Sequence, residues 1–343
     1  MAITRVGEIH GESSITEMVL FGTDPPVRST TKAKTGAYSI RTTYGIEPWG
    51  FGVSPAIAGL RTGFYLNHNG LFSDATIILI HETLTSTWPI ELVWMKDELR
   101  WDLTINGVIQ DQVTTASIGF DIVDQWFHIG LIADKANYVS VYLDGVQVLT
   151  YSGAVTGANW DAVAYGQNRQ TNSWYPYTYF DDVYVDSLVG EADTAPPAYQ
   201  FFPSYANGVG SNTGWTASPA VGNYLNVDDG AIHDEDATIN RVTTSVGSLK
   251  DTHEVQNIAL PADYVINAVH SWQIARKLNA ADDAQVFPIL FDGLNYGKAG
   301  SAIPVPIWWS YLRERFELQP DGTAWNEIDF NNMEAGYEAG GSF

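Results

Sequence analysis

Rings and amides crowd into one short stretch, QNRQTNSWYPYTY, from Gln167 to Tyr179. A sugar stacks its C–H face on an aromatic plane while its hydroxyls bond amides, carboxylates and backbone groups. Trp174, Tyr175 and Tyr177, beside Asn168, Arg169 and Asn172, supply both halves of that chemistry. These six residues form the candidate carbohydrate-binding set. The alternative for the same rings is packing against a neighbouring subunit or a second domain. WGFG (Trp49 to Gly52) has a similar composition. Trp308-Trp309 is a further pair, which on a strand would place one ring inward and one outward.

The densest acidic cluster runs from Asp228 to Asp236. Calcium takes oxygen ligands from clustered carboxylates, so Asp228, Asp229, Asp234 and Asp236 are the candidate metal set, with an ion-free acidic loop as the alternative. No other cofactor is required. The seven histidines are scattered with no His-x-x-x-His pair, which disfavours zinc. Glycoside hydrolysis needs two carboxylates flanking the scissile bond. Glu327-Ile328-Asp329 is the only echo of that arrangement; Asn331 and Asn332 follow where a third acid would stand. Asp97-Glu98 and Asp181-Asp182 read as solvated turn or edge residues. There is no nucleophile elbow and no phosphate loop, and Gly208 to Gly210 reads as loop glycine. Cysteine is absent, which removes thiol nucleophiles and disulfides. The expectation is a chain that is not an enzyme.

The elements that must position these groups read as strands. Tyr138 to Leu143 alternates, with Val139, Val141 and Leu143 on one face. Asp144-Gly145 and Asn106-Gly107 are two-residue hairpin turns, which need positive φ at both central positions. A strand ladder runs through Ala75 to His81, Ile90 to Lys96, Leu99 to Ile105 and Val108 to Thr115, the last two joined by Asn106-Gly107. The glycine- and proline-rich stretch Gly45 to Gly63 reads as a long loop. Pro196-Pro197 marks a boundary, giving domains 1–188 and 199–343 joined by a linker, 189–198. In the second part, strand-like runs lie at Ala237 to Val246, His253 to Ala259, Gln285 to Phe291 and Ile307 to Leu318, with a longer bent strand from Tyr264 to Leu278. A short helix closes the chain, capped by Asn326 and placing Phe330, Met333 and Tyr337 on one face.

Acidic residues number 40 against 17 basic, for a net charge of −23. Such a surface repels phosphate backbones and anionic lipid, so nucleic acid is not expected as a partner. No apolar run reaches membrane-spanning length, and MAITRVGEIHGESS lacks the apolar segment of a secretory signal. Neither membrane insertion nor secretion is therefore expected.

The hairpin around Asp144-Gly145, the closing YFDDVYVD (Tyr179 to Asp186) and TGAYSIRT (Thr35 to Thr42) together resemble the laminin-G or concanavalin A-like jelly roll. The resemblance implies an all-β chain: an N-terminal two-sheet sandwich followed by a β-rich domain with a short C-terminal helix. It also implies that Asp161, Asp181 or Asp182 could contribute to a calcium site near the rim loops. The order of later motifs is similar to a block in tailed-bacteriophage structural proteins: Trp215-Thr216, Tyr224 to Asp229, Asp234 to Asp236, then PDGTAW ahead of the closing helix. That resemblance implies a subunit made in the host cytoplasm and carried on the virion surface, as a fibre, tail-tip appendage or capsid decoration. Its implied partners are further copies of itself, most simply a trimer, and other virion proteins. The alternative from another class is a lectin module binding a host-surface glycan; a polysaccharide depolymerase ranks below both.

Overall fold

A computed structural model describes residues 4–9, 19–20, 26–34, 39–42, 49–68, 75–82, 87–95, 98–118, 125–168, 178–188, 196–200, 202–218, 222–227, 239–242, 249–262, 264–298 and 302–342. The chain divides into two compact units, Met1–Phe201 and Phe202–Phe343. No helix is long and apolar enough to cross a membrane among the described residues.

The first unit is an antiparallel jelly-roll sandwich. Its strands are β1 (Thr4–Ile9), β2 (Val19–Leu20), β3 (Val27–Ser29), β4 (Ser39–Thr42), β5 (Trp49–Ile57), β6 (Gly59–His68), β7 (Ala75–Glu82), β8 (Thr87–Met95), β9 (Arg100–Ile105), β10 (Val108–Thr114), β11 (Trp126–Asp134), β12 (Tyr138–Leu143), β13 (Val146–Ser152), β14 (Trp160–Asn168) and β15 (Thr178–Ser187). One sheet runs β13-β12-β11-β6-β15-β4-β3, with β1 added alongside β15; the other runs β10-β9-β8-β7-β14-β5-β2. The chain crosses between the sheets several times, so strands far apart in sequence, such as β6 with β15 and β5 with β14, pair side by side. Both expected hairpin turns form, with φ of 50° and 76° at Asn106-Gly107 and 44° and 80° at Asp144-Gly145.

Alternation sends one side of every central strand into a shared core. Trp49, Phe64, Tyr165 and Phe180 meet there, with ring centroids 5.2 to 5.5 Å apart for Trp49–Tyr165, Trp49–Phe180, Phe64–Tyr165 and Phe64–Phe180. Burying each such side chain is worth roughly 1.5–3 kcal/mol, which makes this aromatic knot a large share of what holds the sheets together. The buried Tyr165 hydroxyl lies 2.6 Å from Thr62 Oγ1, which satisfies it, whereas the buried Trp49 indole N–H has no hydrogen-bond partner among the described residues.

Three expectations for this unit are corrected. The stretch Gly45 to Gly63 is not a long loop: Trp49–Ile57 is β5, and β6 starts at Gly59. A Cβ on Gly50 would sit 1.9 Å from the Val163 carbonyl oxygen, so glycine is there for close strand approach. Trp49 lies wholly in the core and is no surface sugar platform. Asp181 and Asp182 are not solvated edge residues but fully buried at a bulge of β15, where Asp182 takes φ 51°.

The second unit holds β16 (Ala206–Thr213), β17 (Thr216–Ser218), β18 (Ile239–Arg241), β19 (Lys250–Val255), β20 (Val269–Ala275), β21 (Asp283–Phe291), β22 (Tyr296–Lys298), β23 (Ile303–Pro304), β24 (Ser310–Phe316) and β25 (Glu334–Ser342). Its main sheet runs β16-β19-β25-β21-β22 with β23 beside β21, and the pairs β17-β18 and β20-β24 form separate ribbons. Among the described residues two short α-helices occur, α1 (Thr115–Ile118) and α2 (Glu327–Asn331), with a 3-10 turn at Asn223–Asn226. Asn326 caps α2 as expected, accepting the Asp329 N–H at 3.0 Å.

Helix α2 is shorter than the sequence implied. Met333 and Tyr337 do not continue its face: Met333 follows the helix, and Tyr337 lies in β25, the central strand of the sheet. Gly208 to Gly210 belongs to β16 and is not loop glycine. The long strand from Tyr264 shrinks to β20, because its partner β24 ends at Phe316 opposite Val269 and leaves 264–268 no ladder. Trp308 and Trp309 precede β24 in a bend, with Trp308 65% exposed and the Arg276 guanidinium 5.2 Å above the Trp309 ring.

Candidate functional site

The sequence-predicted sets lie largely outside the described residues. Arg169, Asn172, Trp174, Tyr175 and Tyr177 fall there, as do Asp228, Asp229, Asp234 and Asp236. Asn168 is described as backbone at the end of β14, paired with Ala75. Among the described residues no group of three or more His, Asp and Glu is placed to hold a metal ion.

A different cluster stands at one rim of the sandwich. The β7–β14 register sets His81 against Ala162, next to Asp161. The β7–β8 hairpin brings Trp88 back beside His81, with the pairing shifted between Ile80 and Glu82. Nδ1 of His81 lies 2.9 Å from Oδ1 of Asp161, and the rings of His81 and Trp88 are 4.7 Å apart at 59°. The His81 and Asp161 side chains are 18% and 25% exposed, partly screened yet reachable from solvent. Below them the buried Glu82 carboxylate accepts the Ala158 N–H and fixes the 156–159 turn. Gly157 makes this approach feasible: its φ is 111°, and a Cβ there would strike the Glu82 carboxylate. The next turn is pinned by Asn106, whose Nδ2 donates to Thr156 Oγ1 at 3.0 Å. An indole, an imidazole and a partly exposed carboxylate are the kinds of group that hold a sugar ring by stacking and by hydroxyl hydrogen bonds.

Sequence inspection misses this trio because its members come from three strands and share no short spacing. Asp161 was legible only as a possible calcium contributor implied by resemblance, and His81 only as one scattered histidine. The local signal that exists is Trp88 in TSTWP, an aromatic residue ahead of a proline at a hairpin.

Two polar networks elsewhere are buried. On the face of the first sheet turned away from the core, Arg61 pairs with Asp186 at 3.0 Å and Asp181 accepts the Lys34 N–H at 2.9 Å. The same face holds His128, which burial pushes down to a pKa of about 4. In the second unit, Asp251 accepts from Asn223 Nδ2 at 2.8 Å through both oxygens, from Asn240 Nδ2 at 3.1 Å and from the Tyr337 hydroxyl at 3.3 Å. Burial pushes this carboxyl up to about 6 in spite of those donors. His253 Nε2 stands 3.8 Å from Asp251, and desolvation pulls its pKa down to about 4. Both networks are mostly buried and tie strands together.

No family model matches the chain, and no curated protein is similar to it at a significant level. Solved structures match parts of the chain. A sialidase aligns at 11% identity over 54% of this chain and 19% of its own, with a TM-score of 0.38. The cellulose-induced protein Cip1 aligns at 12% over 51% and 93%, with a TM-score of 0.39. The Caenorhabditis elegans galectin LEC-6 aligns at 11% over 42% and 94%, with a TM-score of 0.30. The match thus spans about a fifth of the sialidase. Scores at this level carry no inference about function.

Proposed function

We propose that the chain is a non-enzymatic recognition module whose first unit binds carbohydrate at the rim formed by His81, Trp88 and Asp161. The observation that carries this reading is the half-buried indole, 4.7 Å from the imidazole of a His–Asp pair at hydrogen-bond distance. Trp88 supplies the stacking plane, Asp161 accepts sugar hydroxyls, and His81 holds Asp161 in place. A screen of immobilised glycans tests it. Trp88→Ala should weaken retention of the best glycan by about two- to tenfold, since stacking of this kind is worth roughly 0.5–1.5 kcal/mol beyond the buried area. Retention unchanged in that variant would remove the rim from consideration and return attention to the 167–179 stretch.

The second reading, a structural and adhesive subunit on a tailed-virus particle, rests on the order of motifs in the second part. In the second unit, Trp215 of the Trp-Thr element is a structural anchor. Its indole donates to the Leu249 carbonyl at 3.1 Å and its ring packs edge-on to Tyr337 at 4.5 Å. Immunogold electron microscopy of virus particles tests that placement. Label on particles supports it, and unlabelled particles leave the free glycan-binding module as the account. The two readings are compatible, because an adhesive virion subunit can bind its host through a glycan.

A further inference from the structure

Among the described residues, the rim that carries Trp88 holds more carboxylate than cation. Its carboxylates come from three strands: Asp161 on β14, Glu82 at the end of β7 and Asp134 at the end of β11. Lys135 ties the β11 end to the rim turn. Its N–H donates to the Ala58 carbonyl at 2.9 Å, its carbonyl accepts the Val155 N–H at 2.8 Å, and its ammonium donates to the Gly157 carbonyl. The cation bonded to this turn is therefore already engaged. The Glu82 carboxylate is 2% exposed, too deep to bond a ligand, yet its charge acts on the rim with less screening than a solvated one. The polar pair that solvent reaches has the same bias. A carboxylate has no proton to give, so the proton between His81 Nδ1 and Asp161 Oδ1, 2.9 Å apart, belongs to the imidazole. In the neutral ring Nε2 is then an acceptor as well. A sugar hydroxyl can donate to such acceptors. A sugar carboxylate or sulfate cannot, and is recognised instead by converging charged donors, arginine above all.

We propose that the rim selects neutral, hydroxyl-rich sugar rings and turns away sugar acids, with Asp161 setting the discrimination. The inference rests on the rim reading above and adds to it the class of ligand. Two like unit charges ~6 Å apart, at an effective dielectric constant of about 40, repel strongly enough to weaken binding roughly tenfold. Selection here works by the repulsive element as much as by the attractive one. The net charge of −23 repels the same acids at longer range, and salt screens that part first.

The test pairs the best neutral glycan of the screen with the same glycan oxidised at C6 of its terminal hexose, so that one CH2OH becomes a carboxylate. Retention of both forms is compared on the full-length chain at about 0.15 M salt, where repulsion between solvated charges fades beyond about 8 Å. The unaltered chain should hold the neutral form about tenfold more tightly. Asp161→Asn keeps the side-chain shape and an oxygen for His81, and should bring that ratio down to about two- to threefold. Glu317→Gln removes an exposed charge from the second unit and should leave the ratio where it was. An acid form held as tightly as the neutral one, or a ratio that Asp161→Asn does not move, would overturn the proposal. So would an equal shift in Glu317→Gln, which would make the discrimination a property of the whole surface. Trp88→Ala separates this inference from the reading beneath it. Retention that depends on Trp88 but shows no preference between the two forms defeats the inference alone. Retention of both forms unchanged in Trp88→Ala removes the rim and the inference together.

Discussion

Lowering the pH from 7 to 4 removes about 3 kcal/mol of stability from the first unit through one side chain, His128. Its ring is 2% exposed, lies 5.4 Å from the Tyr65 ring, and neither nitrogen has a hydrogen-bond partner among the described residues. Burial holds its pKa at about 4 against 6.5 in an unfolded chain. Between those values the unfolded chain binds a proton that the folded chain refuses. The stabilisation is therefore complete above pH 6.5 and is lost as the pH falls toward 4, at about 1.4 kcal/mol per pH unit. The second unit should respond less. His253 has the same sign and window, but Asp251 beside it has a raised pKa, and so takes up a proton in the fold between about 6 and 3.8. That uptake stabilises the fold on acidification and offsets His253, so the two titrate as a coupled pair. Pulse proteolysis in urea, with fragments assigned to each unit by mass spectrometry, measures both responses. The difference between the unaltered chain and His128→Leu isolates the histidine from the other titrating groups. The stability of the unaltered chain relative to His128→Leu should fall by about 3 kcal/mol between pH 7 and 4; a difference independent of pH would contradict the account.

Asp251→Ala is expected to destabilise the second unit by about 3 kcal/mol at neutral pH, since it leaves buried donors without their acceptor. Asn223, Asn240 and Tyr337 converge on this one carboxylate, and Asn226 extends the network by donating to the Asn240 side chain and the Ile239 carbonyl. Through it, the turn at Asn223–Asn226 and the β17–β18 ribbon are held to β19 and β25. Hydrogen exchange at 216–218 and 239–241 should accelerate before the main sheet is affected. An Asp251→Ala chain with unchanged exchange in the ribbon would show that the network is incidental to holding it.

How much of this was legible in the chain depends on glycine and on burial. The strands from Ala75 to Tyr151 announce themselves because their apolar residues alternate and their turns carry Asn-Gly and Asp-Gly. Strand β5 reads as loop because Gly50, Gly52 and Pro55 interrupt it, yet Gly50 is there because Val163 of the next strand leaves no room for a Cβ. Strand β25 reads as helix for the same reason. Gly336 sits 1.9 Å, at its would-be Cβ, from the Asp251 carbonyl oxygen, and glycine and alanine there erase the period of two. Asp181 and Asp182 read as surface because charge usually means solvent; in a strand covered on both faces it does not. The rim trio is illegible in principle from spacing, since only the register of β7 against β8 and β14 brings it together.

The central claim is that the first unit recognises a sugar at the rim. Hydrogen-exchange mass spectrometry of the unaltered chain, with and without the best glycan from the screen, tests it most directly. The account predicts new protection confined to 79–90 and 156–163, and its disappearance in Trp88→Ala. Protection elsewhere, with those segments exchanging as in the free chain, would contradict it.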